Sequence, residues 1–333
     1  MRLLIFAEFF TNYNERYCAM KKVSVIGAGN VGATAVYYIA EKNIADIVMV
    51  DIAEGLAKNK ALDFMHSATL RSYNVNITGT SDFREIHDSD VVVVTAGIPR
   101  KPGMDRMDLL KTNASIVKGA SQMIAAYCPD AVVIVVTNPL DIMATVVLRE
   151  TGFAVKKVVG MAGALDSTRF RYFIAGTIDV WPGDVMAMVL GGHGDEMVPL
   201  KNYTSVGGIP LTQLTDDESI DKMIERTRNG GGEIVKYLKT GSAFFAPGAS
   251  TAKMVEAVIK DEKRLMAASA YQRGEYGYHD IFLGVPVLLG KNGVEKIFAI
   301  ELTAEEKKAL DVSAEAVREG IKMLETFYSP GIN

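Results

Sequence analysis

The chain has 333 residues, 49% of them hydrophobic and 23% charged, with a formal net charge of -4. That is the make-up of an ordinary soluble globular protein with room for two domains or one large one, and no apolar run reaches the length of a membrane span. The slightly acidic balance supplies no basic field and argues against nucleic acid as a partner. Cys18 and Cys128 lack metal-site or redox spacing, so nothing demands an oxidising compartment and the cytoplasm is the default.

The first ten residues resemble a signal peptide, but Glu8 interrupts them and no small-residue cleavage site follows. Residues 1–19 therefore read as an extension, poorly ordered or loosely docked, with Met20 a natural start for a compact fold. Residues 22–26 are a short apolar run, and Gly27-Ala28-Gly29-Asn30-Val31-Gly32 follows at once. A helix is predicted over 33–40, and a second apolar run at 47–50 ends at Asp51, 19 positions after the last glycine. Strand, glycine turn, helix, strand is the context that gives a G-x-G-x-x-G spacing its meaning. Gly27 permits the tight turn, Gly29 lets a pyrophosphate approach the backbone, and Gly32 lets helix and strand pack closely. The pyrophosphate then faces unpaired N–H groups at a helix N-terminus. Asp51 would accept hydrogen bonds from the adenosine ribose and repel a 2′-phosphate, which favours NAD over NADP. The bland reading is a plain βαβ turn.

Farther along, a helix is predicted over 52–65 and strands at 75–78, 90–95, 131–136 and 157–160. A helix over 111–127 stops before Pro129. The β-branched run 90–95 suits a parallel strand buried on both faces. Six apolar strands separated by helical stretches predict an α/β fold, a Rossmann-type doubly wound parallel sheet with its ligand at the carboxyl ends of the strands. Past about Gly163 the texture changes to an α+β domain. Shorter strands are predicted within 185–190 and 198–206, and helices over 216–239 and 250–260. Asn292-Gly293 signals a hairpin between runs at 286–289 and 294–298. The last helix opens with a capping box from Thr303 to Glu306, and its apolar stripe is Leu310, Ala314, Val317, Ile321 and Leu324. The expected division is the extension 1–19, an NAD-binding domain 20–163 and a catalytic domain 164–333.

Three constellations fall where the loops of such a sheet converge. His193 follows a strand inside Gly191-Gly192-His193-Gly194-Asp195, where glycines leave the imidazole accessible for proton transfer near neutral pH. Alone, it reads equally well as a turn histidine. Asp166 and Arg169 lie three apart in the first turn of a helix, so both can point at one site. The carboxylate could orient His193 and the guanidinium could grip a substrate carboxylate; in isolation the pair reads as a surface salt bridge of little worth. The loop 96–106 leaves the strand ending at Thr95 and carries Arg100 and Arg106 between paired Gly and Pro residues, as a lid would. Its bland reading is a mobile, solvated basic loop. Thr137-Asn138-Pro139 ends the next strand at the same edge.

Together, GAGNVG, TAGIPRKPGMDR, VTNP, LDSTRF and GGHGDEMVP occur in order. They resemble the lactate and malate dehydrogenase family over about residues 21–327, and within it the malate dehydrogenases built on the lactate dehydrogenase plan. The resemblance implies that His193 donates and accepts the proton, with Asp166 as its partner. Arg169 would hold the C1 carboxylate and Arg106 would polarise the C2 carbonyl. Asn138 would touch substrate and cofactor, Asn113 would lie in the NAD site, and Val136 and Thr137 would offer backbone contacts. Ala243 would line the pocket. Arg100 stands where the family faces the substrate's C3 group and where lactate enzymes usually carry Gln, so a dicarboxylate, malate or oxaloacetate, is implied. A homotetramer, or a dimer, follows from the same resemblance, as does a reaction that needs no metal. Two other readings stay open: a lactate or broad 2-hydroxy-acid dehydrogenase, and a non-catalytic NAD-binding sensor.

Overall fold

The computed structural model describes residues 20–99, 106–239 and 241–328; the predicted extension 1–19 lies outside them. Six strands run parallel in the order β6-β5-β4-β1-β2-β3. They are β1 (Lys22–Ile26), β2 (Asp46–Val50), β3 (Ile77–Thr80), β4 (Val91–Val94), β5 (Val132–Val135) and β6 (Val158–Gly160). Alternation decides which side chain goes where. Val91 and Val93 enter one core with Val36 and Ile39 of α1 (Asn30–Ala40), while Val92 and Val94 enter the other. That second core also holds Val117 of α3 (Arg106–Tyr127) and Val147 of α4 (Leu140–Thr151). A strand sandwiched between helices on both faces must be apolar at every position, and β4 and β5 contain only Val and Ile.

The remaining helices are α2 (Glu54–Arg71), α5 (Gly163–Ile178), α6 (Asp217–Leu238), α7 (Phe245–Ile259) and α8 (Ala304–Glu325). The six parallel strands are as predicted, but the sheet does not stop there. After the two-residue strands β7 (Val185–Met186), β8 (Val189–Leu190), β9 (Val198–Pro199), β10 (Ser205–Val206) and β11 (Ile209–Pro210) come three long ones. These are β12 (Arg264–Arg273), β13 (His279–Gly290) and β14 (Gly293–Ile297), antiparallel to one another. Ser269 of β12 pairs with Gly160 of β6, so the C-terminal half extends the same sheet to nine strands among the described residues. β12 went unread because its alanines and serine carry no strand signature; they are small because they lie fully packed beneath helices.

Boundaries moved where tertiary contacts override local preference. The strand expected at 75–78 is displaced to β3, because its register to β2 aligns Ile47 with Ile77 and Val50 with Thr80. The helix expected over 33–40 begins at Asn30, inside the glycine turn, so its first N–H groups open directly onto that turn. α2 runs from 54 rather than 52 and on to Arg71, α3 begins five residues early, and α7 begins at Phe245. The capping box forms as written, with Thr303 Oγ1 accepting the Glu306 N–H and Glu306 accepting the Thr303 N–H. Leu310, Ala314, Val317 and Leu324 are buried along α8, and Ile321 is half-buried.

Candidate active site

The glycine turn sits at the carboxyl end of β1. Gly27 has φ +107°, and its N–H donates to Val50 O at 2.7 Å, tying the turn to the end of β2. Asp51 leaves that strand and receives two backbone N–H groups, Ala28 at 2.7 Å and Ala53 at 2.9 Å. A carboxylate has about four acceptor sites, so two remain for a ribose. A Cβ on Gly32 would lie 1.9 Å from Gly27 O and 2.7 Å from Thr95 Oγ1, whereas one on Gly29 would meet nothing within 4 Å. Gly32 is thus closed against its own chain and Gly29 is open towards a ligand, the cradle a pyrophosphate needs. Gly32→Ala is expected to displace the turn and weaken NADH binding by at least about tenfold, a site-distorting cost of roughly 1–3 kcal/mol. Fluorescence titration with NADH checks this, and an unchanged affinity would refute the close-packing role.

Two residues missed in the sequence buttress this turn. Thr95 Oγ1 lies 3.0 Å from Ile26 O and 3.1 Å from Gly27 O. Lys60, on α2, donates to Ala28 O at 2.7 Å; burial lowers its ammonium, and Asp51 opposes that. Neither has a motif to announce it.

α5 begins immediately after β6, so its first turn stands at the same edge of the sheet. Asp166 is 2% exposed, and its Oδ2 lies 2.8 Å from His193 Nδ1 while its Oδ1 accepts from Arg169 at 3.2 Å. This is no surface salt bridge, since the Arg169 and His193 side chains are each only 14% exposed. Burial by itself would lower the His193 pKa, but the charge and hydrogen bond of Asp166 outweigh it and hold the imidazole above its ordinary value; Arg169 opposes them. The carboxylate can only accept, so Nδ1 keeps the proton and Nε2 is the working nitrogen. The His193 loop is held by a bridge of two hydrogen bonds between Gly191 and Gly284 of β13, at 2.9 and 3.0 Å. A Cβ on Gly284 would lie 2.3 Å from Gly191 O, so the approach requires glycine.

A cavity of about 280 Å³ brings His193, Arg169, Asn138, Val136, Val31 and Ala243 together. The glycine turn, β5 and the His193 loop therefore face one space, as the sequence predicts. Arg228 borders it from α6 and donates to Met197 O at 3.2 Å. Gly231 on the same helix passes the Arg169 guanidinium, a Cβ there lying 3.6 Å from both terminal nitrogens. Three consecutive glycines at 230–232 inside a helix were the signal that could have found this wall.

Asn113, expected to lie in the NAD site, sits beside the ends of β4 and β5 and is 1% exposed. Its Oδ1 accepts from Ile98 N at 2.8 Å, and its Nδ2 donates to Ile98 O and to Asn138 O at 2.7 Å. These bonds tie the start of the 97–99 loop to the segment that follows β5. Thr137 is likewise bound to Val94 O and Ala96 O. Arg100 and the Arg106 side chain lie outside the described residues. A larger cavity of about 460 Å³ opens at the amino ends of β4 and β5, beside Asp90, Asp130 and Lys157. That is the wrong edge for ligand binding in a parallel sheet.

A profile of the lactate/malate dehydrogenase NAD-binding domain matches residues 21–160, and one of the family's alpha/beta C-terminal domain matches 163–328. The chain belongs to the lactate/malate dehydrogenase family. It is 51% identical to a protein of Bacillus cytotoxicus named malate dehydrogenase, over 91% of this chain and 98% of that one. The malate dehydrogenase structure of Cryptosporidium parvum superposes with a TM-score of 0.90 at 42% identity, covering 92% of this chain and 99% of that one. The lactate dehydrogenase of the same organism, complexed with lactic acid and NAD, also gives 0.90, at 43% identity over 93% and 99%. The backbone thus defines the family without separating its two activities.

Proposed function

We infer that this chain is an NAD-dependent malate dehydrogenase, interconverting (S)-malate and oxaloacetate. The observation that carries the chemistry is the buried Asp166–His193 pair in the same cavity as Arg169 and the glycine-turn side of the sheet. NAD, when bound, accepts or supplies the hydride at the substrate's C2. In the oxidising direction His193 Nε2 takes the hydroxyl proton, and Asp166 stabilises the imidazolium that results. In the reducing direction His193 starts protonated and returns that proton to the C2 oxygen. Arg169 holds the C1 carboxylate with its planar fork. Arg106 supports charge on the C2 oxygen and Arg100 pairs with the second carboxylate, roles given to them by the family resemblance. Gly27, Ala28, Gly29, Asn30, Val31 and Gly32 would cradle the pyrophosphate of NAD and Asp51 its adenosine ribose, with Asn113, Val136, Thr137 and Asn138 as further contacts.

Sequence identity of about half to proteins named malate dehydrogenase, together with Arg100, favours this reading over a lactate enzyme. A homotetramer or dimer, a place in the tricarboxylic acid cycle and a cytoplasmic location complete the proposal; the buried free thiol of Cys128 is in keeping with a reducing compartment. The purified protein is expected to form NADH from (S)-malate and NAD. Tight NAD binding without turnover of any 2-hydroxy acid would instead make it a sensor.

A further inference from the structure

Asp166 holds the His193 ring, but a second carboxylate holds its backbone. Asp141 stands in the first turn of α4, three residues after Asn138, and is 6% exposed. Its Oδ2 accepts the His193 amide N–H at 2.9 Å and its Oδ1 accepts the Ser269 hydroxyl at 2.5 Å. The neighbouring Gly192 N–H donates to Ser313 Oγ at 2.7 Å. α4 and α8 therefore hold two adjacent peptide units of the His193 loop, and β12 braces the α4 contact through Asp141.

We propose that Asp141 is a positioning residue for the acid–base step, fixing the His193 peptide and placing a second negative charge beside the imidazolium. The geometry of the clamp does not by itself explain a carboxylate. An asparagine would accept the same N–H and meet the same hydroxyl, and it would avoid the cost of burying a charge. What the amide lacks is the charge. Burial holds the Asp141 pKa above its ordinary value and Asp166 adds to the rise, with the Ser269 hydroxyl, the His193 amide and the imidazole offsetting it in part; both carboxylate oxygens accept hydrogen bonds, the arrangement that suits the ionised form. An ionised Asp141 adds to Asp166 in favouring protonated His193, as the weaker of the two carboxylates. Among the described residues, the charged groups facing the ring are Asp166 and Arg169 from α5 and Asp141 from α4; Asp195, Glu196, Arg228 of α6 and Glu319 of α8 border the cavities on its two sides. The same residue links the two halves of the site, because Asn138 and His193 are then both registered to the first turn of α4.

The inference rests on His193 being the acid–base group, and not on which 2-oxo acid is preferred. Its test is Asp141→Asn, compared with the parent protein as kcat/KM against pH in the reducing direction. Reduction needs protonated His193, so activity falls as pH rises through that pKa. Loss of the Asp141 charge is expected to move this limb down by roughly 0.5–1 unit. At pH above the limb, kcat/KM should fall about three- to tenfold, the same shift read as a rate. NADH affinity should stay within about twofold, since Asp141 makes no contact with the glycine turn. A role in folding alone would lower the melting temperature and leave the limb where it was, and that result overturns the proposal. If the Asn variant does not fold, Ser269→Ala carries the test, since losing the hydroxyl weakens the ionised form of Asp141 and should move the limb the same way. An unmoved limb there overturns it equally. Should the parent turn over no 2-oxo acid, the titration of the His193 ring followed by NMR gives the same comparison, and an unshifted titration in the variant again decides against it.

Discussion

His193→Asn should bind NADH within about twofold of the parent and lose about three to four orders of magnitude in kcat. Asparagine occupies much of the imidazole's space and can still offer an N–H to the Asp166 oxygen now 2.8 Å from Nδ1. It has no group that takes or gives a proton near neutral pH, so the loss isolates the proton transfer from the architecture. General acid–base catalysis contributes about 10²–10⁴-fold. The upper part of that range applies here, because Asp166 also stabilises the charge that His193 acquires and the pair acts as a unit. Steady-state kinetics beside an NADH titration separate the two effects. Residual turnover within about tenfold of the parent, with NADH still bound, would remove His193 from its role.

Arg100→Gln is expected to narrow the preference for oxaloacetate over pyruvate by about a hundredfold or more, with little change in NADH affinity. Charge alone sets this expectation, since Arg100 lies outside the described residues. A guanidinium matches oxaloacetate's second carboxylate with two parallel hydrogen bonds. With pyruvate the same group would be shut in without a partner, a penalty of roughly 3–5 kcal/mol, on the order of a hundredfold to a few thousandfold in kcat/KM. Glutamine removes the attraction and the penalty together. An unchanged oxaloacetate-to-pyruvate ratio would sink the role assigned to Arg100.

The parallel strands were legible because β4 and β5 are unbroken β-branched runs and the others short apolar ones between helices, and because the glycine turn carries its own geometry. Asp166, Arg169 and His193 were legible as residue types placed at loops of one sheet edge. Their burial was not, since nothing local distinguishes a buried i,i+3 pair from a solvated one. β12 stayed hidden because its identity depends on β6 and β13, and its sequence is alanine-rich only because of what covers it. Asn113 shows the same limit at a single residue: its type suits a ligand contact, and nothing local announces its bonds to Ile98 and Asn138. Asp141 was invisible for the converse reason. No helix was predicted over 140–151, and a lone acid in that apolar stretch carries no signal of its own until the fold brings Ser269, 128 residues away, against it.

The comparison that bears most directly on the account is NADH oxidation by the purified protein with oxaloacetate and pyruvate at equal concentration. Oxaloacetate is expected to win by about a hundredfold or more on the unpaired-charge penalty. Pyruvate turned over at a comparable or greater rate would leave the fold and the His193 chemistry standing and contradict the malate dehydrogenase assignment.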